Sequence, residues 1–205
     1  WSPYDALFEW LGLGGAPNYL RNEDISLHGL QIWVALPKDR EEMEPQFYHA
    51  SEDEIPSWTE GDLQFKLVAG KALGHESPVP VFSELFMIEI KSKTKQEVNI
   101  GDELYGESGL YILEGGIESD GNFYEPKHLL VAKDSTLCQF TIAENSTIYI
   151  FGGEPFPEKR YIDWNFVSSR KERIEEAKQK WMNKEFPKIK GEEDAYIPYP
   201  TMKRK

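Results

Sequence analysis

A chain of 205 residues, 40% hydrophobic and 13% aromatic, can bury roughly 70% of its unfolded surface, so one globular domain with an extension is expected. Its 36 Asp and Glu against 23 Lys and Arg leave a formal charge of −13, which repels phosphate backbones and argues against direct nucleic-acid binding. No apolar run approaches the roughly 18 residues of a bilayer crossing, so no membrane association is expected.

In chain order, Tyr4 to Leu13 places Leu7, Phe8, Trp10 and Leu11 at helical spacing and stops at Gly12, Gly14 and Gly15, predicting a short N-terminal helix. The pattern then shortens to strand-like runs at Leu30 to Leu36, Leu63 to Val68, Val81 to Ile90, Leu110 to Ile117, Leu129 to Val131, Leu137 to Ile142 and Thr147 to Phe151. Turn residues bound most of them, at Asn99-Ile100-Gly101-Asp102, Asp120-Gly121-Asn122 and Glu144-Asn145-Ser146. Within Phe86-Met87-Ile88-Glu89-Ile90, positions 86, 88 and 90 alternate as on a sheet with one buried face. Many short strands at near-regular spacing imply a β-sandwich or barrel. The period changes again at Ser169-Arg170-Lys171-Glu172, which reads as a capping box opening a helix. Ile174, Ala177 and Trp181 share one face of it, Glu176 and Lys180 form an i,i+4 pair, and Pro187 is its latest end. Residues 188–205 are charged and interrupted by proline, an arm or a tail.

The segment Leu27-His28-Gly29-Leu30-Gln31-Ile32-Trp33-Val34-Ala35-Leu36-Pro37, followed by Phe47-Tyr48-His49, closely resembles the opening of the C-terminal half of pirins. The resemblance continues in order through Leu67-Val68-Ala69-Gly70, Ser77-Pro78-Val79-Pro80, Leu110-Tyr111-Ile112-Leu113-Glu114-Gly115, Asp120-Gly121, Phe151-Gly152-Gly153-Glu154-Pro155 and Trp164-Asn165-Phe166-Val167-Ser168-Ser169, with Glu172-Arg173-Ile174. It implies a mainly β fold: a cupin-type antiparallel jelly-roll barrel with a C-terminal α-helix, here preceded by the short N-terminal helix. The expected division is 1–26 as a helical extension that does not match the family, 27–165 as the cupin barrel, and 166–205 as the C-terminal helix and tail. Pirins are bicupins, and the resemblance implies that iron or another divalent metal belongs to the N-terminal cupin, held by three histidines and a glutamate in a His-x-His and a later His-x-Glu. Some members resemble quercetin dioxygenases, and eukaryotic ones are linked to transcriptional regulation. Residues 1–26 contain no histidine and no His-x-Glu precedes Leu27, so no metal ligand, catalytic residue or cofactor is carried over to this chain. The sequence begins Trp1-Ser2-Pro3, with neither an initiator Met nor a signal-peptide pattern, and upstream residues are expected.

Four histidines, His28, His49, His75 and His128, lie too far apart in sequence for the i, i+2 pairing of a cupin site. The general cupin pattern places its first ligands near Gly101 to Gly109, where Glu103 and Glu107 are found, and its later histidine near Cys138. Glu103, Glu107, His128 and Cys138 are therefore the barrel-pocket candidates. The blander reading of each is favoured: Cys138 as an inert residue on an apolar strand, His128 as a loop-edge residue, His28 as structural. Being the single cysteine, Cys138 excludes an intrachain disulfide and suits a reducing compartment, so a cytoplasmic location is expected. Trp33, Trp58, Trp164, Trp181, Phe47 and Tyr48 are read as core before they are read as a pocket for a small aromatic ligand. Arg40-Glu41-Glu42-Met43-Glu44 is read as a solvated acidic turn. Gly12-Leu13-Gly14-Gly15 follows a helix instead of opening one, and so is no phosphate loop.

Two functions follow, beside a third possibility, a purely structural half that stabilises an oligomer. The first is a non-catalytic binding or regulatory module working through a protein partner, a second copy of itself or a small aromatic ligand. The alternative is part of a metal-dependent quercetin 2,3-dioxygenase-type pirin whose metal site lies in upstream residues.

Overall fold

Alternating apolar positions in the middle of the chain become antiparallel sheets in the computed structural model, which describes residues 29–132, 139–187 and 196–200. Contacts divide the chain into two units, residues 45–156 and residues 1–44 with 157–205. The first holds the strands β1 (Ser57–Glu60), β2 (Leu63–Ala72), β3 (His75–Glu76), β4 (Leu85–Ser92), β5 (Gln96–Asn99), β6 (Glu107–Glu114), β7 (Ile117–Ser119), β8 (Asn122–Tyr124), β9 (Leu129–Ala132), β10 (Gln139–Ile142) and β11 (Ser146–Gly153). The larger sheet runs β1-β2-β4-β11-β6-β9 with β3 beside β2, and the smaller runs β5-β10-β7-β8. The pairings are antiparallel, and β4 with β11, β11 with β6 and β5 with β10 join strands distant in sequence. This is the expected mainly β, cupin-type jelly roll.

Register explains the core. Ile148 on β11 lies opposite Ile90 on β4 and Ile112 on β6, and Phe65 on β2 lies opposite Ile90. One step along, Ile150 lies between Ile88 and Leu110, with Leu67 opposite Ile88. Two apolar rows therefore cross the inner face of the large sheet. The small sheet contributes Val98 opposite Phe140 and Ile117 opposite Ile142. Leu67, Ile88, Ile90, Ile112, Ile142, Ile148 and Ile150 are all 0% exposed, each worth about 1.5–3 kcal/mol relative to an exposed position. The 86, 88, 90 alternation read from sequence is thus realised.

Turn chemistry closes the strands. Asp120 and Gly121 at φ 51° and 75° connect β7 to β8, the positive pair that a two-residue hairpin requires. Gly106, at φ +66°, has no room for a side chain because a Cβ would stand 2.1 Å from the Gly153 carbonyl oxygen.

The second unit contains the hairpin β12 (Tyr161–Asp163) and β13 (Phe166–Ser168) and the helix α1 (Lys171–Met182). Sequence expectations need three corrections here. The capping box is absent: the N-cap is Arg170 and makes no side-chain cap bond. The reason is competition, since the Ser169 amide and hydroxyl both donate to Glu41, at 2.6 and 3.2 Å. Glu41 is consequently no solvated turn residue; its side chain is 11% exposed and it also accepts from Ser168 at 2.9 Å and pairs with Arg160 at 3.2 Å. Leu30 to Leu36 forms no strand, and Trp33 and Val34 are more than half exposed. Apolar composition makes a strand only where a ladder partner exists, and here the segment's Leu36 carbonyl accepts instead from the Arg160 guanidinium, at 3.0 Å.

The expected helix at 4–13 lies outside the described residues, as does His28. No described helix is long and apolar enough to cross a membrane. Truncating the central row tests the core: Ile150→Ala is expected to destabilise by about 2–5 kcal/mol in urea unfolding. Val131→Ser, at a 72% exposed position, should stay within about 0.5 kcal/mol. Equal losses for the two would contradict the assigned inward face.

Candidate functional site

Of the barrel-pocket candidates, Glu103, Glu107 and His128 lie among the described residues, and all three are exposed. Glu103 ends the 3₁₀ turn Gly101–Glu103 and is exposed. Glu107 opens β6 opposite Gly153, also exposed, while its inward neighbours Ser108, Leu110 and Ile112 are buried. His128 sits at the other end of the β6–β9 pair, where its carbonyl accepts from the Ile112 amide at 3.1 Å. Its own ring is exposed, with Nδ1–H donating to the Glu125 carbonyl at 2.8 Å and the Tyr124 ring 6.5 Å away. Five ladder positions separate residue 107 from residue 112, roughly 17 Å at a strand's rise of about 3.4 Å per residue. Glu107 and His128 therefore cannot share one ion, whose ligands stand about 2 Å from it. Cys138 lies outside the described residues.

The interior itself bears on the metal question. The inward positions described on β2, β4, β6, β10 and β11 carry Phe65, Leu67, Ile88, Ile112, Ile142 and Ile150. Among the described residues no three His, Cys, Asp or Glu side chains are grouped to hold a metal ion. The described residues at these inward positions do not fit iron, because their carbon side chains offer it no donor.

Nor do the aromatic residues named from sequence line one pocket. Trp58 stacks on Phe65 at 5.2 Å and on His75 at 4.0 Å in the barrel unit. Phe47 and Tyr48 are about half exposed, and so is Trp33 in the other unit. Trp164 and Trp181 do meet, at 5.0 Å, within a cluster that includes Phe166, Phe186 and Tyr199.

Sequence reasoning missed a polar cluster on the outer face of the large sheet. Glu89, only 9% exposed, accepts from the Tyr149 hydroxyl at 2.5 Å and pairs with Lys91 at 2.9 Å. Lys66 and Tyr149 stand opposite Glu89 on the two flanking strands. Burial raises the Glu89 pKa, but the bonds from Tyr149 and Lys91 outweigh it and hold the carboxyl below its usual range. Burial and the adjacent carboxylate drive Tyr149 well above the ordinary phenol value. A carboxylate held ionised and a phenol held protonated are poorly placed for proton transfer near pH 7. Only the pairing of three strands reveals the cluster; the outward parity of Glu89 in sequence carries no sign of burial.

Residues 87–187 match the model of the pirin C-terminal cupin domain. A pirin-like protein of Caulobacter vibrioides is 39% identical over 163 residues, covering 79% of this chain and 56% of the relative. Human pirin is 29% identical over 159 residues, covering 73% and 54%. The chain thus spans about half the length of the curated relatives it matches. Among solved structures, a quercetin 2,3-dioxygenase from Acinetobacter baumannii superposes with a TM-score of 0.73 at 24% identity, over 84% of this chain and 58% of that one, a likeness of fold.

The Glu89 cluster carries a pH signature. A carboxyl depressed in the folded state contributes stability above its unfolded pKa of about 4.3 and loses it as pH falls through the folded value. The stability gap between the wild type and Glu89→Gln should therefore shrink on going from pH 6 to pH 3, read from urea midpoints. A gap that stays constant would show that the carboxylate charge is not what the cluster stabilises.

Proposed function

From the premise that this chain carries a pirin C-terminal cupin domain, with pirin and pirin-like proteins as its relatives, we propose that it acts as a non-catalytic binding or regulatory module. One observation carries the reading: the interior where a cupin would present metal ligands is filled by packed aliphatic side chains, with Ile88, Ile112, Ile148 and Ile150 fully buried at its centre. Replacing that packing by imidazoles would put polar groups in an apolar core, at a cost of a few kcal/mol for each group left unsatisfied. A barrel so filled serves as a scaffold. Its outer surface then supplies contacts to a protein partner or a second copy, and the single cysteine suits work in the reducing cytoplasm.

The fold shared with the Acinetobacter dioxygenase favours one second reading, in which the chain is part of a quercetin 2,3-dioxygenase-type protein and its metal is held by residues upstream. A His-x-His followed by a His-x-Glu in the upstream reading frame would mark that case.

Metal content decides the first reading directly. The chain, purified without a metal-affinity tag and assayed by plasma mass spectrometry, is expected to carry far less than one transition-metal ion per molecule. Near-stoichiometric iron, nickel or copper that survives dialysis would overturn the proposal and direct mutagenesis to Glu103, Glu107, His128 and Cys138.

A further inference from the structure

The unit that contains α1 has a groove of about 320 Å³ between the helix and the β12–β13 hairpin. This is the lower end of the roughly 300–1,000 Å³ typical of small-molecule sites. Its apolar surface comes from Phe166, Val167, Ile174, Ala177 and Phe186. Ile174 is buried, whereas Val167 and Phe186 are 37% and 40% exposed, so the floor is packed and the walls are open to solvent.

The charges around the groove are almost all matched. Glu41 is held by Arg160, Ser168 and Ser169. Glu42 pairs with Arg170 and, at 3.6 Å, with Arg173. Arg173 also binds Glu176, at 3.1 Å. That last pair displaces the expected Glu176–Lys180 partnership and leaves Lys180 lining the groove, with no ion pair among the described residues. The site therefore combines an apolar bed sized for one ring and a short chain with, among the described residues, one cation that has no ion-pair partner.

We propose that this groove binds a small amphipathic carboxylate, the ring or alkyl body lying on Ile174, Ala177 and Phe166 and the carboxylate meeting the Lys180 ammonium. A single negative charge fits best. A dianion such as a phosphate monoester would set its second charge against Glu42 and Glu176. A neutral ligand would leave the ammonium unused, whereas a charge-assisted bond from it adds both affinity and orientation.

The test uses the full chain, ¹⁵N-labelled, titrated with 3-phenylpropanoate and separately with its neutral analogue 3-phenylpropanamide. The expected result is a saturable shift of amide resonances confined to residues 165–168, 173–180 and 186. Binding of the acid should be about tenfold tighter than that of the amide, the difference made by one charge-assisted hydrogen bond of roughly 1.4 kcal/mol. Lys180→Gln, at an exposed helix position that leaves the fold intact, should abolish the preference for the acid. Ala177→Leu, which fills the bed, should weaken both compounds. Equal affinity for acid and amide, a preference that survives Lys180→Gln, shifts centred elsewhere, or no binding at millimolar concentrations would each overturn the proposal.

Discussion

Among the described residues, close-packed apolar side chains fill the interior of the barrel unit. β11 is the strand on which that depends, because it is paired on both edges and its Ile148 and Ile150 sit at the centre of two rows that cross the large sheet. Branched side chains lock those rows, since Ile has few rotamers to lose and meets its neighbours across the pleat. The small sheet closes over them with Val98, Ile117, Phe140 and Ile142. The inward side chains described on these strands stabilise the fold by apolar burial.

The second unit is organised differently, around charge. Arg160 is the hub: its guanidinium donates to the Leu36 carbonyl, to the Glu158 carbonyl and side chain, and to Glu41, with only 11% of its side chain exposed. Glu41 answers with bonds from Ser168 and Ser169. Burial opposes the ionised form of Glu41, yet these bonds together with Arg160 hold its pKa below the usual value. Such a network contributes less to net stability than to uniqueness, because it is satisfied in one arrangement and costly in any that strands a partner. It ties residues 36–42 to the start of α1, segments separated by well over a hundred positions in sequence. By taking Ser169 it also leaves the helix without its expected cap. Asp163 extends the same logic by accepting from Lys178 at 2.8 Å and Tyr199 at 2.7 Å.

Much of this was legible from the residues alone, and the failures share a cause. Phe86, Ile88 and Ile90 announce their face because strand geometry forces a period of two, and Asp120-Gly121 announces its hairpin because few residues accept positive φ. The predicted run Leu110 to Ile117 is broken in the structure into β6 and β7, with Gly115 at φ +73° between them. Short strands such as β1, β5, β12 and β13 escaped notice, since three or four residues hold too little pattern to register. Leu30 to Leu36 had the composition of a strand without a neighbour to pair with, and Glu41 looked solvated because its partners come from the far end of the chain.

What the sequence determined by itself is therefore local and periodic: the strand-rich class, the turn positions, the apolar face of α1, and the family to which the ordered motifs point. Tertiary structure alone decided which charges are buried. Glu89 is covered because pairing sets Tyr149 and Lys66 on either side of it, and Glu41 is covered because Arg160, Ser168 and Ser169 close on it from the far end of the chain. The physical reason is the range of the forces involved. Alternation, propensity and φ preference act within a few residues and are written in order along the chain, whereas the burial and pairing of charge depend on neighbours that only the folded register supplies.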